Sequence, residues 1–278
     1  MSFFATDPPE SFFEVLRLAE VEATLELFKE YAPEGARVLE VGAGRGWQAR
    51  ALARAGYSVE AIDLPATVEI SNHARGRIFP ITDYDGASVP FEPSAFDVVY
   101  SSNVLEHVVE FDRLNEELHR VLKPNGFAIH LVPTSLWRVS SILAYYPAQV
   151  VDLLRLLRRR VMADVSSGSE AGGAGRGVGV AISAKILRRL VPSAHGAIGN
   201  PATELFRYSR ASWTDTFQSR GWKVVRYGQS DIWATGEYLM GHRLSLEARR
   251  RIARLVGGIA HIFVLRSERD LHSGSRDN

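Results

Sequence analysis

Runs of apolar, β-branched residues alternate with mixed helix-forming stretches over the first half of the chain, a pattern that predicts a parallel α/β sheet. Residues from about Ser11 to Tyr31 read as a helix leading to the first strand, Arg37–Val41. Further strands are expected at Tyr57–Asp63, within Gly76–Thr82, at Ala95–Ser101 and at Phe127–Val132. Helices are expected after Gly46 and over Val104–Val121. Lys123-Pro124-Asn125-Gly126 is a turn by its chemistry: proline ends the helix, and Asn-Gly tolerates positive φ. After Pro133 the alternation stops. Residues to about 204 hold an amphipathic stretch, the basic run Arg158-Arg159-Arg160 and a Gly/Ser-rich segment, Ser166–Gly179, that reads as a mobile loop, either a simple disordered linker or an active-site lid. The pattern resumes with a helix at Ser209–Arg220, a strand at Gly221–Tyr227, a helix near Ser245–Val256 and a last strand at Ile262–Arg266.

The densest chemistry lies in Val38-Leu39-Glu40-Val41-Gly42-Ala43-Gly44-Arg45-Gly46. A buried strand runs into glycines at every second position, which let the backbone turn sharply and approach a ligand where a Cβ would clash. Good helix formers follow from Trp47, so the turn opens a helix, and the arrangement predicts a nucleotide-type site at the carboxyl end of the sheet. A dinucleotide fingerprint sets its third glycine five positions after the first; here Gly46 follows Gly42 by four. Asp63 closes the second strand about twenty residues beyond Gly42, where an acid accepts hydrogen bonds from ribose hydroxyls in such sites. Glu40 is a carboxylate at the end of a buried strand, costly unless partnered, and a cationic ligand is a fitting partner.

Composition narrows the alternatives. Thirty-three Lys and Arg against 32 Asp and Glu leave a net charge of +1, which gives no reason to expect nucleic acid as partner. Cysteine is absent, removing disulfides, thiolate nucleophiles and Cys-ligated zinc. The start MSFFATDPPE lacks the basic and apolar parts of a secretory signal. The longest apolar stretch, Val139–Leu157, is broken by Pro147, Gln149, Asp152 and Arg155 and is a poor membrane span. A cytoplasmic protein is the expectation. Residues 143–161 pair leucines with arginines in a way that suits a lid helix packed on the core, or peripheral contact with anionic lipid.

The glycine spacing resembles motif I of the class I S-adenosylmethionine-dependent methyltransferases, and later segments match that family in order. Asp85-Gly86-Ala87-Ser88-Val89-Pro90-Phe91 is similar to its D-A-x-x-L-P-F segment. Phe96-Asp97-Val98-Val99 through Val104-Leu105-Glu106-His107-Val108 resembles its F-D-x-V-x-x-x-x-V-L-E-H-V signature. Arg120-Val121-Leu122-Lys123-Pro124-Asn125-Gly126 resembles its R-x-L-K-P-G-G turn, with Asn125 in place of the first glycine. The series covers residues 35 to 133, with weaker support from 205 to 267.

The resemblance implies a Rossmann-like, doubly wound, seven-stranded, mostly parallel sheet whose last strand is antiparallel. A helical insertion would follow strand five. Residues 1–278 then form one methyltransferase domain, with core segments 11–133 and 205–267 and a cap over 134–204. It implies S-adenosylmethionine as cofactor. Glu40 would hold the methionine amino group, and Gly42, Ala43, Gly44 and Gly46 would cradle the methionine. Asp63 and Leu64 would sit at the ribose. Asp85, with Gly86, would sit at the adenine amine, with Asp83 competing for that register. Ser101 and Ser102 would line the far side through backbone groups.

His107 is the leading candidate for a general base, against a structural role for the same segment; His195, His130 and Tyr84 are weaker candidates. Neither Glu106 nor His107 has a second pair at metal-ligand spacing, so no metal is expected. Trp137, Tyr145, Tyr146, Trp213, Trp222 and Trp233 are either ring platforms for an acceptor or core. The segment Phe206-Arg207-Tyr208-Ser209 with Trp213, Phe217 and Trp222 resembles family members of glycan or lipid biosynthesis. The reading is therefore methyl transfer to a small molecule. A catalytically inactive cofactor-binding or partner module and an NAD-dependent oxidoreductase are the alternatives. The acceptor and the oligomeric state are not legible in the sequence.

Overall fold

In a computed structural model, which describes residues 12–65, 76–167, 194–235 and 243–269, strands and helices alternate as the patterning predicts. The chain runs through α1 (Phe12–Tyr31), β1 (Arg37–Val41), α2 (Trp47–Arg54), β2 (Ser58–Asp63), β3 (Thr82–Asp83) and β4 (Phe96–Ser102). It continues with α3 (Phe111–Val121), β5 (Leu122–Pro133), α4 (Ser135–Ser167), α5 (Pro201–Arg207) and α6 (Arg210–Gln218). It ends with β6 (Trp222–Gln229), α7 (Leu246–Val256) and β7 (Ala260–Ser267). The strands form one sheet in the order β3-β2-β1-β4-β5-β7-β6. β7 lies antiparallel to both β5 and β6, while β1 to β5 pair in parallel.

Both faces of the central strands are covered, which is why they read as continuous apolar runs. Leu39, Val41 and Val99 point to one face, into a cluster with Leu114, Leu118 and Val121 of α3 and with Trp213 and Phe217 of α6. Val38, Val98 and Tyr100, one residue out of phase, point to the other, against Val21 and Phe28 of α1 and Leu52 of α2. Trp213 and Trp222 are core residues rather than platforms: Trp222 Nε1 donates to Asn115 Oδ1 at 2.6 Å, and Trp213 Nε1 donates to the Pro133 carbonyl at 3.3 Å.

Three sequence expectations need correction. The helix expected over Val104–Val121 is a single 3₁₀ turn at Leu105–His107, an extended Val108 and then α3. The Glu106 carbonyl, which a continuous helix would use internally, instead accepts from Ala197 N–H at 2.9 Å. The third strand is only Thr82–Asp83, beginning at the last residue of the expected segment; within that segment, Ile78 N–H donates to the Arg45 carbonyl of the glycine turn at 2.9 Å. Lys123–Gly126 falls inside the bounds of β5, as a bulge. The register steps from Phe96–Leu122 to Val98–Phe127, and Asn125 takes a φ of 69°.

Within the insertion, α4 spans 33 residues with Pro147 inside it. Its Val139, Leu143, Tyr146, Val150, Leu154 and Met162 are exposed. Of the Gly/Ser-rich segment, only Ser166 and Ser167 fall within α4; the rest lies outside the described residues. No helix among the described residues is long and apolar enough to cross a membrane.

The Trp222–Asn115 bond ties β6 to α3, and the Trp222 ring stacks on His119 with centroids 3.9 Å apart. Trp222→Phe keeps most of the apolar volume but leaves Asn115 Oδ1 without its donor. It should cost about 1–3 kcal/mol in urea unfolding; an unchanged midpoint and slope would refute that role for the bond.

Candidate active site

At the carboxyl end of β1 the backbone enters the left-handed region at Gly42 and Gly44, with φ of 74° and 58°. A Cβ on Gly42 would collide with the Val104 side chain, whereas one on Gly44 would meet no atom within 4 Å and would project into open space. The turn is strapped to β2. The Ile62 carbonyl accepts from Gly42 N–H at 2.9 Å and from Ala43 N–H at 3.1 Å. The Asp63 carboxylate accepts from Gly44 N–H and, at 2.6 Å, from Leu64 N–H. Each carboxylate oxygen keeps a further lone pair for a ligand.

Glu40 is 1% exposed, and its Oε2 has no hydrogen-bond partner. Burial, reinforced by the nearby Asp63, raises its carboxyl from the ordinary range to about 8, with the Ala49 backbone amide as the one counterweight. A buried carboxyl left in this way is stabilised by an incoming cation or ammonium group.

α1 forms one wall. Its Glu14 pairs with Arg45 of the glycine turn, and its Arg17 pairs with Glu20 at 2.6 Å. Ser102 Oγ donates to Glu20 at 3.3 Å, and Gln48 Nε2 donates to the Arg17 carbonyl and to Tyr100 Oη, both at 3.3 Å. None of these α1 residues was identifiable from the sequence, since the helix precedes every recognisable segment.

Ser101 is fully buried, and its hydroxyl shares a 2.8 Å hydrogen bond with His130 Nδ1, leaving only its backbone for a ligand. Burial pushes His130 down to about 3, so it stays neutral. Tyr84 is buried, and burial raises its phenol. Asp85 lies at the surface. Its carboxylate accepts from Ser88 N–H at 2.6 Å and Ala87 N–H at 2.9 Å, which hold it down at about 2. Asp83 pairs with Arg77 at 2.5 Å. Gly86 and Leu64 face each other, a Cβ at Gly86 falling 3.2 Å from Leu64 Cδ2, so these two residues share one wall.

Beyond Val104 lies a second cluster. Glu106 is buried, with both carboxylate oxygens lacking a hydrogen-bond partner. Its Oε1 lies 3.8 Å from His107 Nε2 and 3.8 Å from His195 Nε2. The two imidazoles meet edge-on with centroids 4.7 Å apart, and Trp137 abuts His195 at 4.4 Å. Burial lowers His107 below the usual imidazole range, opposed by Glu106. His195 is held by its backbone: its N–H and that of Gly196 donate to Glu204 Oε1 at 2.7 and 2.8 Å, and Glu204 pairs with the buried Arg138 at 2.7 Å. The fold thus brings Glu40, Gly42, Ala43, Gly44, Gly46, Asp63 and Leu64 into one cradle. His107 and His195 meet beside it; His195-Gly196 was the only sequence sign of the second partner.

A family profile described as a methyltransferase domain matches residues 39–130. An uncharacterized methyltransferase of Mycobacteroides abscessus is 36% identical over 137 residues, 45% of this chain and 52% of that protein. A glycine/sarcosine/dimethylglycine N-methyltransferase of Actinopolyspora halophila is 34% identical over 111 residues, 37% of this chain and 20% of that protein. The matched part thus spans about half the length of the first relative and about a fifth of the second. Among solved structures, a putative methyltransferase in complex with the Haloferax volcanii Trm112 methyltransferase activator shares the fold. It has a TM-score of 0.51 at 14% identity, over 91% of this chain and 92% of that one. The left-handed glycine turn and the buried Glu40 with its unpartnered oxygen lie within residues 39–130, the segment that matches the methyltransferase-domain profile.

Proposed function

We propose that the chain transfers a methyl group from S-adenosylmethionine to a small-molecule acceptor. The observation that carries this reading is the buried Glu40 with an unpartnered oxygen beside the open space at Gly44. In this reading Glu40 holds the methionine amino group, the turn from Gly42 to Gly46 takes the methionine chain, and Asp63 with Leu64 takes the ribose. Asp85 and Gly86 border the adenine through the turn they form, and Ser101 contributes backbone only. Residues 1–278 act as one unit in which segment 134–204 covers the acceptor.

When bound, S-adenosylmethionine supplies an electrophilic methyl group on a positively charged sulfur. The protein's part is to align the acceptor with that methyl and to exclude water, effects worth roughly 7–11 kcal/mol when the geometry is right. Burial keeps His107 neutral near pH 7, so its Nε2 can take a proton from an acceptor hydroxyl or ammonium, a contribution of about 10²–10⁴-fold. Trp137 and Tyr208 line the same cluster, and their rings suit an acceptor with apolar or sugar faces; glycan and lipid intermediates are the first compounds to screen.

Titration calorimetry should give micromolar binding of S-adenosylmethionine and S-adenosylhomocysteine and none of NAD(H); binding of NAD(H) alone would overturn the reading. Asp63→Ala should weaken S-adenosylhomocysteine binding by about 1–3 kcal/mol, the scale of a hydrogen bond to a charged group. Equal affinity in that variant would move the ribose elsewhere.

The pH dependence follows from Glu40. An amino group pairs with the ionised carboxylate, so affinity should rise with pH up to about 8 and fall by at most about tenfold per unit below it. Near pH 7 binding should release a proton, read by calorimetry in buffers of different ionisation enthalpy. The folded free chain holds a Glu40 proton that the unfolded chain loses, so this group's contribution to stability declines from the ordinary carboxyl range up to about pH 8. Glu40→Gln should bind more weakly and lose both pH effects; proton release unchanged in that variant would sink the assignment.

A further inference from the structure

We infer that Glu106, His107 and His195 form a binding site for one divalent transition-metal ion of the zinc, cobalt or manganese class, at the acceptor end of the cleft. One carboxylate oxygen and two imidazole nitrogens lie within 4.8 Å of one another. Glu106 Oε1 is the shared vertex, at 3.8 Å from each Nε2. Those spacings are too long for hydrogen bonds. They exceed by about 0.4 Å the separation of about 3.4 Å between ligands around a tetrahedral zinc with bonds near 2.1 Å. A modest side-chain closure around an ion therefore completes the site.

The Glu106 side chain is fully buried, and neither of its oxygens receives a hydrogen bond. A buried carboxylate of this kind is costly without a cation. Among the described residues, the other charges near the cluster are engaged elsewhere: Glu204 with Arg138, and Arg17 with Glu20. Two imidazoles and a carboxylate are a donor set that selects transition ions over magnesium or calcium.

The supporting residues are built for fixed ligands. The Glu106 carbonyl accepts from Ala197 N–H, and Glu204 accepts from the backbone of His195 and Gly196, so the segment carrying His195 is clamped to the turn carrying Glu106 and His107. Gly196 is required at that clamp, because a Cβ there would lie 2.8 Å from the Glu106 carbonyl oxygen and 2.8 Å from Tyr208 Oη. The sequence expectation of no metal rested on the lack of a second ligand pair at short spacing. The fold supplies the third ligand from beyond α4 instead.

Three protein ligands leave coordination positions open, as in catalytic rather than structural sites. An acceptor hydroxyl bound there would lose its proton more readily. With an ion bound, His107 is a ligand and the proton leaves to solvent or to an ion-bound hydroxide. This consequence rests on the methyltransferase reading; the ion site itself does not.

The test uses the full untagged chain, stripped with chelator and titrated with Co²⁺, followed by visible absorption and calorimetry. One Co²⁺ per chain should bind, with ligand-field bands of a nitrogen and oxygen site. His195→Gln, at a half-exposed position that leaves the core intact, and Glu106→Gln should each weaken binding at least about tenfold. Circular dichroism of His195→Gln confirms its fold should Glu106→Gln not fold. Absence of the bands, or Co²⁺ affinity unchanged in His195→Gln, would overturn the site, the latter marking adventitious surface-histidine binding. The assay uses no S-adenosylmethionine, so its failure is separable from failure of the methyltransferase reading.

Discussion

Pairing of Val41 with Ser101, and of Ser101 with His130, brings the carboxyl ends of β1 and β4 to within one residue of each other at one edge of the sheet, while β5 runs on past His130 to Pro133. Every strand there is buried on both faces, so the chain must leave through turns that satisfy their own amides or borrow acceptors from a neighbour. The glycine turn borrows the Ile62 carbonyl and the Asp63 carboxylate; the end of β4 borrows the Leu131 carbonyl for Asn103 N–H. A shift of one residue in that register would exchange the faces of Glu40 and Leu39 and place a carboxylate in the apolar layer. The cradle is thus a consequence of strand register, and its residues arrive together or not at all.

Buried acids crowd this edge, and their partners separate scaffold from site. Glu14, Glu20 and Glu204 are each matched by an arginine, Arg45, Arg17 and Arg138. Asp63 is matched by backbone amides. Glu40 and Glu106 keep oxygens with no hydrogen-bond donor. Desolvating a carboxylate costs several kcal/mol unless a charge or hydrogen bonds offset it. The matched acids hold α1, α5 and the glycine turn in place. Glu40 and Glu106 are the two without such a match, and between the glycine turn and the second cluster Val104 fills the space that a Cβ on Gly42 would need. These two acids mark two places where a positive ligand would stabilise the fold.

What the sequence revealed and what it hid follow the range of the interactions involved. The glycine turn, Asp63 and the strand ends are set by local chemistry, so their residue types carry the signal directly. The break after His107 is not local. Val108-Val109-Glu110 contains no strong breaker, and the helix ends because Ala197, from beyond α4, takes the Glu106 carbonyl. α1 gave a legible helix but no legible role, since Glu14, Arg17 and Glu20 acquire meaning only against Arg45 and Ser102. Asp85 shows the opposite case: the motif pointed to it, with Asp83 competing for the register, yet its carboxylate is occupied in shaping its own turn.

The chain beyond β5 lies outside the profile-matched residues 39–130. Its first helix turns one apolar face outward, while the segment that follows the undescribed residues returns to the cleft and plants His195 against Glu106. That return is fixed at three backbone amides and one buried ion pair, more than a loose covering loop requires. Holding an imidazole so firmly beside an unpartnered carboxylate orders a segment at the cost of its conformational entropy, about 1–2 kcal/mol per residue. Shape alone could be met by any apolar residue at position 195. An imidazole whose Nε2 faces a carboxylate oxygen without a hydrogen bond, and a second imidazole, is instead suited to protons and cations.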